Sequence, residues 1–196
     1  MVREGRYGRT VVLVGVAIVV GALIGLAVPP TERRFKRPRA RLVPLVGAGV
    51  LAQVAAGQLE GGRAVAIALF GFTCLIAFAV ANMHLVGMGV LTVGLGLNVF
   101  VIAINGGMPV RTRALVAAEV IAEHEVQGLE LRGPRHVERS SDHLVVLGDI
   151  IPVTVTHEVV SFGDLILLVA LADIAAHLVR RRRRQDSMSI ESPVQD

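Results

Sequence analysis

Three aspartates stand in an otherwise apolar stretch of the chain, residues 144–177. A carboxylate is costly to place where water cannot reach it, so Asp149, Asp164 and Asp173 should each be paired, hydrated or kept for a task. Two neighbouring carboxylates can bind a cation or share a proton for acid and base catalysis. Asp149 and Asp164, together with Asn105 and His143, are therefore the candidate residues of a catalytic site.

Asp164 and Asp149 also fit purely structural roles. Ser161 can cap the start of a helix with Asp164 at the third helical position, which is a capping box with Asp in place of Glu. An acid in the first turn also suits the helix dipole. Asp149 follows Gly148 and can cap a turn. Capping is the preferred explanation for Asp164, and a two-carboxylate site is the alternative.

A second polar group lies deeper in the apolar sequence. Asp173 and His177 are four residues apart and so share one side of a helix. They could relay protons, or form a structural pair in which Asp173 bonds to His177 or to an asparagine of the fourth apolar segment. That segment carries Asn98 and Asn105 seven residues apart, which is two helical turns, and such a shared face typically forms a seam between helices.

Motifs for metals and cofactors are missing. Cys74 is the single cysteine, and the loop histidines lack the spacing of zinc ligands. The glycine pairs of the fourth apolar segment follow no strand, so they do not form a dinucleotide-binding fingerprint. We expect no metal and no cofactor.

The elements that must position these residues are apolar helices. The chain has 196 residues, 53% of them hydrophobic, with a mean hydropathy of +0.64. A helix needs roughly 20 apolar residues to cross a bilayer, and five segments approach that length. The sequence predicts an all-α integral membrane protein with a single helical domain over residues 10–179 and helices near 10–28, 42–58, 64–81, 85–105 and 160–179. In the first of these, Gly21 and Gly25 form a G-x-x-x-G motif that lets another helix approach closely.

The remaining segments are a long loop and two tails. In the loop, residues 106–159, the spacing of Val110, Leu115 and Ile121 predicts an amphipathic helix that ends by Gly128 and lies along the membrane surface. Residues 144–160 predict a short hairpin at the interface or a shallow re-entrant segment. Residues 1–9 form an N-terminal tail, and residues 180–196 predict a basic and then disordered cytoplasmic tail.

Basic residues border the apolar segments. They indicate lipid headgroups as partners and predict how the chain is oriented in the membrane. The formal net charge is +4, and the arginine clusters explain it through contacts with the bilayer and its anionic headgroups rather than with nucleic acid. Aromatic residues, at 4%, are too few to stack on bases. The distribution favours an N-terminus outside and a C-terminus in the cytoplasm. The predicted headgroup and topology residues are Arg33, Arg34, Lys36, Arg37, Arg39, Arg41, Arg180, Arg181, Arg182, Arg183 and Arg184.

Three short motifs in the second half of the chain resemble the signatures of a known family. They are Asn105-Gly106-Gly107-Met108-Pro109, Leu147-Gly148-Asp149-Ile150-Ile151-Pro152 and Ser161-Phe162-Gly163-Asp164. The family is a set of bacterial integral membrane proteins catalogued as a domain of unknown function. The resemblance implies a five-helix protein of the bacterial plasma membrane and supplies no activity. Asn82-Met83-His84 departs from the basic turn that the resemblance implies between the third and fourth helices.

Three function classes follow from these patterns. The preferred one is a non-catalytic scaffold that assembles with a membrane protein partner, or with its own copies, through the seam of the fourth helix and the outer loop. The second is a path for a small solute, ion or proton through Asn98, Asp164, Asp173 and His177. The third is an outer-face hydrolase that uses Asp149 and Asp164. A scaffold predicts these acids capped or paired in dry packing, whereas an enzyme predicts them around an open cleft.

Overall fold

The structure is a computed structural model that describes residues 7–28, 40–126 and 128–190. Its helices are α1 (Tyr7–Ala27), α2 (Pro44–Gln58), α3 (Gly61–Ala81), α4 (Met88–Asn105), α5 (Thr112–Ala117) and α6 (Phe162–Ile190). Its strands are β1 (Met108–Val110), β2 (Arg135–Val137), β3 (Ile151–Val153) and β4 (Glu158–Val160). All five predicted apolar segments are helical. Their ends lie within a few residues of the predicted ones, except that α6 continues to Ile190.

Three of the described helices are long and apolar enough to cross a membrane. They are α3, α4 and the first part of α6, Phe162–Arg183. The apolar part of α1, Val12–Ala27, and α2, with 15 residues, are shorter. The prediction of a mainly helical chain is therefore confirmed, and three of its five predicted crossings reach full length.

The long helices pack as a row in the order α1, α6, α4, α3 and α2. The G-x-x-x-G motif of α1 is filled by α6, because a Cβ atom at Gly21 would overlap the Ala172 carbonyl and one at Gly25 would crowd Ala176. At the other end of the row, Gly49 of α2 lies against Gly71 of α3. Small residues thus let the backbones approach at both ends of the row.

Asn82 fastens the turn between α3 and α4 to the chain before α2. Its side chain is fully buried. Its amide nitrogen donates to the carbonyls of Arg41 and Phe78, both at 2.8 Å, and its oxygen accepts from the Arg41 backbone nitrogen at 2.7 Å. In place of a basic residue, the turn Asn82-Met83-His84 thus has an asparagine that bonds the turn to the chain before α2.

Residues 106–161, here called the loop module, connect α4 to α6. In it β1 and β2 pair in parallel, with Met108 opposite Arg135, while β3 and β4 form an antiparallel hairpin, with Ile151 opposite Val160. A bridge between Val110 and Asp149 joins the two pairs. Residues 144–160 thus contain a hairpin, and whether it lies at the membrane interface or is re-entrant stays a prediction.

The prediction of an amphipathic surface helix in the loop is wrong. α5 ends at Ala117, and Glu119 takes a left-handed conformation with φ of 55°, which interrupts the helix. The apolar side chains form a core within the loop module instead of an exposed stripe. That core consists of Val110, Ala114, Leu115, Ala118, Ile121 and Val159.

The predicted disorder after the arginines is wrong as far as residue 190. α6 continues through the arginines, which are good helix formers, to Ile190. Arg183 also donates from Nη1 to the Leu26 carbonyl and so fastens α6 to the end of α1. Most of the first predicted basic cluster, Arg33 to Arg39, lies outside the described residues, as do residues 1–6 and 191–196.

Replacing glycines of α1 by alanine should distinguish the effect of helix packing on stability from the effect of helix propensity. Gly21→Ala should lower stability by about 1–3 kcal/mol through overpacking against α6. Gly15→Ala is the matched control, because a Cβ atom at Gly15 meets nothing within 4 Å, and it should be neutral or stabilising by up to about 1 kcal/mol. Unfolding in detergent solution measures both, and equal effects would contradict the α1–α6 contact.

Candidate functional site

Asp164 belongs to a closed set of hydrogen bonds between α6 and α4. Its carboxylate accepts from the Ser161 backbone nitrogen at 3.0 Å, and its own backbone nitrogen donates to Ser161 Oγ at 3.0 Å, which is the predicted capping box. Asn98 Nδ2 donates to Asp164 Oδ1 at 2.8 Å. Ser161 Oγ donates to Asn98 Oδ1 at 3.0 Å. The Asn98, Ser161 and Asp164 side chains thus satisfy one another across the helix junction.

Glycine makes this junction possible. A Cβ atom at Gly163 would overlap Asn98 Oδ1, and one at Gly94 of α4 would lie 3.0 Å from the Gly163 carbonyl oxygen. The two backbones can therefore approach closely enough for Asn98 to reach across to Ser161 and Asp164. Asn98 is 2% exposed and Ser161 is fully buried, so the bond between them lies away from water, while Asp164 is partly exposed.

Asn105 holds the loop module at the end of α4. Its Nδ2 donates to the His143 carbonyl at 2.9 Å, and its Oδ1 accepts from the His143 backbone nitrogen at 2.7 Å. The predicted neighbourhood of Asn105 and His143 exists, but it is formed by the main chain of His143, whose residue is exposed. His143 is therefore held as backbone, and its role as a catalytic side chain finds no support in these contacts.

Asp149 is the most deeply buried of the three predicted acids, at 1% exposure. Its backbone nitrogen donates to the Pro109 carbonyl at 2.9 Å, and its carbonyl accepts from the Arg111 backbone nitrogen at 3.0 Å. Its Oδ2 lies 3.0 Å from Arg135 Nε, an ion pair. Neither carboxylate oxygen accepts a well-aligned hydrogen bond from the described residues. Asp149 thus joins three segments of the loop module with its charge only partly compensated.

The surroundings of Asp149 favour its protonated form. Burial raises the pKa of the Asp149 carboxyl to about 7, although Arg135 acts to lower it. The negative charges of Asp164 and Glu158 raise the pKa further. Glu158 is itself 7% exposed. The structure therefore brings Asp149 and Asp164 into electrostatic contact, while the hydrogen bonds of Asp164 go to Asn98 and Ser161.

Asp149, Asp164 and Asp173 line neither of two cavities in the described part of the chain. One cavity, of about 10 Å³, has room for roughly one water molecule and is lined by Arg135, His157, Glu158 and apolar side chains. The other is an open groove of about 660 Å³ beside α5 that includes Thr112 and Arg113. Over residues 7–28, 40–126 and 128–190, no group of three or more His, Cys, Asp or Glu side chains is arranged to hold a metal ion.

Asp173 and His177 are not brought to this junction. Asp173 is partly exposed and His177 is exposed. Neither makes a hydrogen bond or ion pair with another described residue. The described contacts therefore do not include the predicted structural pair, and the asparagines of α4 bond elsewhere.

Two charged residues that act on Asp149 were not identified from the sequence. Arg135 and Glu158 come from three-residue strands, which are too short for any periodic pattern to identify their partners. Glu158 carried a usable signal, since it is an acid placed inside the apolar run that precedes α6. Arg135 carried none, because it lies in a polar stretch where an arginine is ordinary.

Comparison with known proteins gives a family and no function. Residues 40–173 match a family of unknown function (DUF5317), and the chain belongs to that family. No curated protein and no solved structure matches the chain. The matched region spans α2 to α5, the whole loop module and α6 as far as Asp173.

Replacing Asp149 should change how stability depends on pH. The folded-state pKa of about 7 exceeds the ordinary value of 3.8, so the folded protein holds a proton that the unfolded chain has released. Stability should therefore fall as pH rises from about 4 to about 7, by an amount on the order of 4 kcal/mol.

Asp149→Asn should remove most of that dependence, and Glu130→Gln, at an exposed position, should retain it. Melting temperatures of the three proteins in detergent between pH 4 and pH 8 measure the difference. Parallel pH curves for the wild type and Asp149→Asn would show that Asp149 does not take up the proton.

Proposed function

We propose that this member of a family of unknown function is a non-catalytic, multi-pass protein of the bacterial plasma membrane that acts as a scaffold or assembly partner. The observation that carries the proposal is the closed bonding of Asp164 to Ser161 and Asn98. A catalytic carboxylate needs an oxygen that can reach a substrate. Each oxygen of Asp164 accepts a hydrogen bond from the protein itself, Oδ1 from Asn98 and Oδ2 from the Ser161 backbone.

The exposed surfaces of the helices support a membrane location. Large apolar side chains on α2, α3, α4 and α6 are more than half exposed, among them Leu51, Phe70, Val93 and Val169. Such surfaces are costly in water and are satisfied by lipid chains. We propose that α1 and α2 also cross the bilayer, which makes five crossings. α2 is preceded by Leu42 and Val43, which lengthen its apolar segment.

The basic ends of the helices support the proposed orientation. Arg181, Arg182 and Arg183 are exposed on α6, directly after its apolar part. A cytoplasmic C-terminus would place them among anionic headgroups. The loop module then lies on the extracytoplasmic side, where Asn105 holds it against the end of α4. The N-terminus is outside in the same arrangement.

The alternatives have less support from the geometry. A hydrolase would expose Asp149 and Asp164 to one open cleft, yet neither acid lines either of the two best-formed cavities. A path for a solute or proton would connect Asp164 with Asp173, which is about 13 Å deeper along α6. None of Asn98, Asp164, Asp173 and His177 lines those cavities either.

Complementation of a gene deletion in the source organism tests the proposal. Asp149→Asn and Asp164→Asn should each restore the wild-type phenotype at matched protein levels, because a scaffold needs the fold rather than the ionised carboxyls. Loss of the cap should cost Asp164→Asn about 1 kcal/mol of stability. Gly163→Leu, which blocks the α4–α6 junction, should fail to restore it. A stable Asp164→Asn protein that is present at the normal level and does not restore the phenotype would contradict the scaffold proposal.

A further inference from the structure

The polar seam on α4 that was expected to bind a partner is already used within the chain. Asn98 bonds to Ser161 and Asp164, and Asn105 bonds to the His143 backbone and to the Val101 carbonyl. Asp173 and His177 differ from these asparagines. Neither side chain makes a hydrogen bond or ion pair with another described residue, so both can still bond to a partner. α6 therefore carries the polar side chains that are left for a contact with a partner.

One side of α6 is covered by neither of its neighbouring helices. Ala172 and Ala176 lie against α1, while Gly163 and Leu167 lie against α4. A third side carries residues spaced by three or four positions, which places them in line along the helix. These residues, here called the α6 stripe, are Phe162, Ile166, Val169, Asp173, His177 and Arg180.

The α6 stripe combines exposed apolar side chains with an acid and an imidazole at its centre. Val169 is 63% and Phe162 is 42% exposed. Asp173 lies within residues 162–179, the part of α6 before its arginines, and therefore inside the hydrocarbon region if α6 spans the membrane. A carboxyl at that depth is costly unless another group bonds to it, so lipid chains alone are a poor covering for this side.

We infer that the α6 stripe is the contact surface for a second copy of this chain, with Asp173 of each copy bonded to His177 of the other. This inference rests on the proposed membrane scaffold. A second copy is the partner because the α6 stripe is complementary to itself. It carries an acid, Asp173, and an imidazole, His177, that can bond to that acid. A two-fold symmetric contact makes each such pair twice.

The geometry of two parallel copies allows this pairing. Both copies are inserted in the same orientation, so their α6 stripes run side by side. Asp173 and His177 differ by four residues, which is about 6 Å along the helix. An interaxial distance of about 8–10 Å leaves a gap that an aspartate and a longer histidine side chain can close together. The shorter apolar residues of the stripe would pack above this pair.

Disulfide cross-linking in membranes tests the inference with a matched control. The background is Cys74→Ala, which removes the single cysteine, a buried one. Val169→Cys places a thiol on the α6 stripe. Leu178→Cys places one at a similarly exposed position, 60%, and its nine-residue offset puts it on the opposite side of the helix. Oxidation should produce a dimer of this chain from Val169→Cys and only background from Leu178→Cys.

The polar pair is then tested in the Val169→Cys background. Asp173→His alone and His177→Asp alone should each reduce the cross-linked fraction by about fivefold, since each leaves like groups facing one another. The combined exchange restores an acid opposite an imidazole and should return the fraction to the wild-type level. Co-expression of the two single variants should restore the fraction as well, which a pairing of the two residues within one chain does not predict.

Two results would overturn the second-copy inference. One is equal cross-linking at Val169→Cys and Leu178→Cys, and the other is a combined exchange that stays as weak as the single variants. A cross-link from Val169→Cys to a different membrane protein would also overturn it, while leaving the scaffold proposal intact. Failure of the scaffold proposal is recognised separately, by the loss of complementation in Asp164→Asn.

Discussion

Asn98, Ser161 and Asp164 form the bonded group on which the junction of α4 and α6 depends. A partly exposed carboxylate and a buried amide meet at a tight helix contact, and each finds its partners there. Two hydrogen bonds join Ser161 and Asp164 at the start of α6, and two more join these residues to Asn98 of α4. Gly94 and Gly163 allow the two helices to approach, so the hydrogen bonds of the polar group depend on these glycines.

The loop module is held at both of its ends by hydrogen bonds. It begins where Asn105 ends α4 and holds the His143 backbone, and it finishes at Ser161, which starts α6. Between these points Asp149 connects β1 with the segment leading to β3 and pairs with Arg135 of β2. The three sequence motifs therefore converge on one region. Their polar residues bond mainly to the chain itself, and the raised pKa of Asp149 is a consequence of that burial.

Much of the helical architecture could be predicted from the sequence, because long apolar segments and capping residues are local signals. The five apolar segments and the Ser161–Asp164 capping box are visible in this way. The role of Asn98 in that box was not, since it depends on a contact between residues 66 positions apart. The loop module was harder still, because its strands have three residues each and its apolar residues, such as Leu115 and Ile121, mimic a surface helix while packing inward. For Asp173 and His177, spacing correctly indicated a shared side but not whether they bond to each other.

The central claim is that Asp164 serves as a structural link between α6 and α4 rather than as a chemical group. A double-mutant cycle with Asn98→Ala and Asp164→Ala, followed by unfolding in detergent, measures that link most directly. We expect a coupling energy of about 1 kcal/mol or more between the two positions. Strictly additive effects of the two substitutions would contradict it.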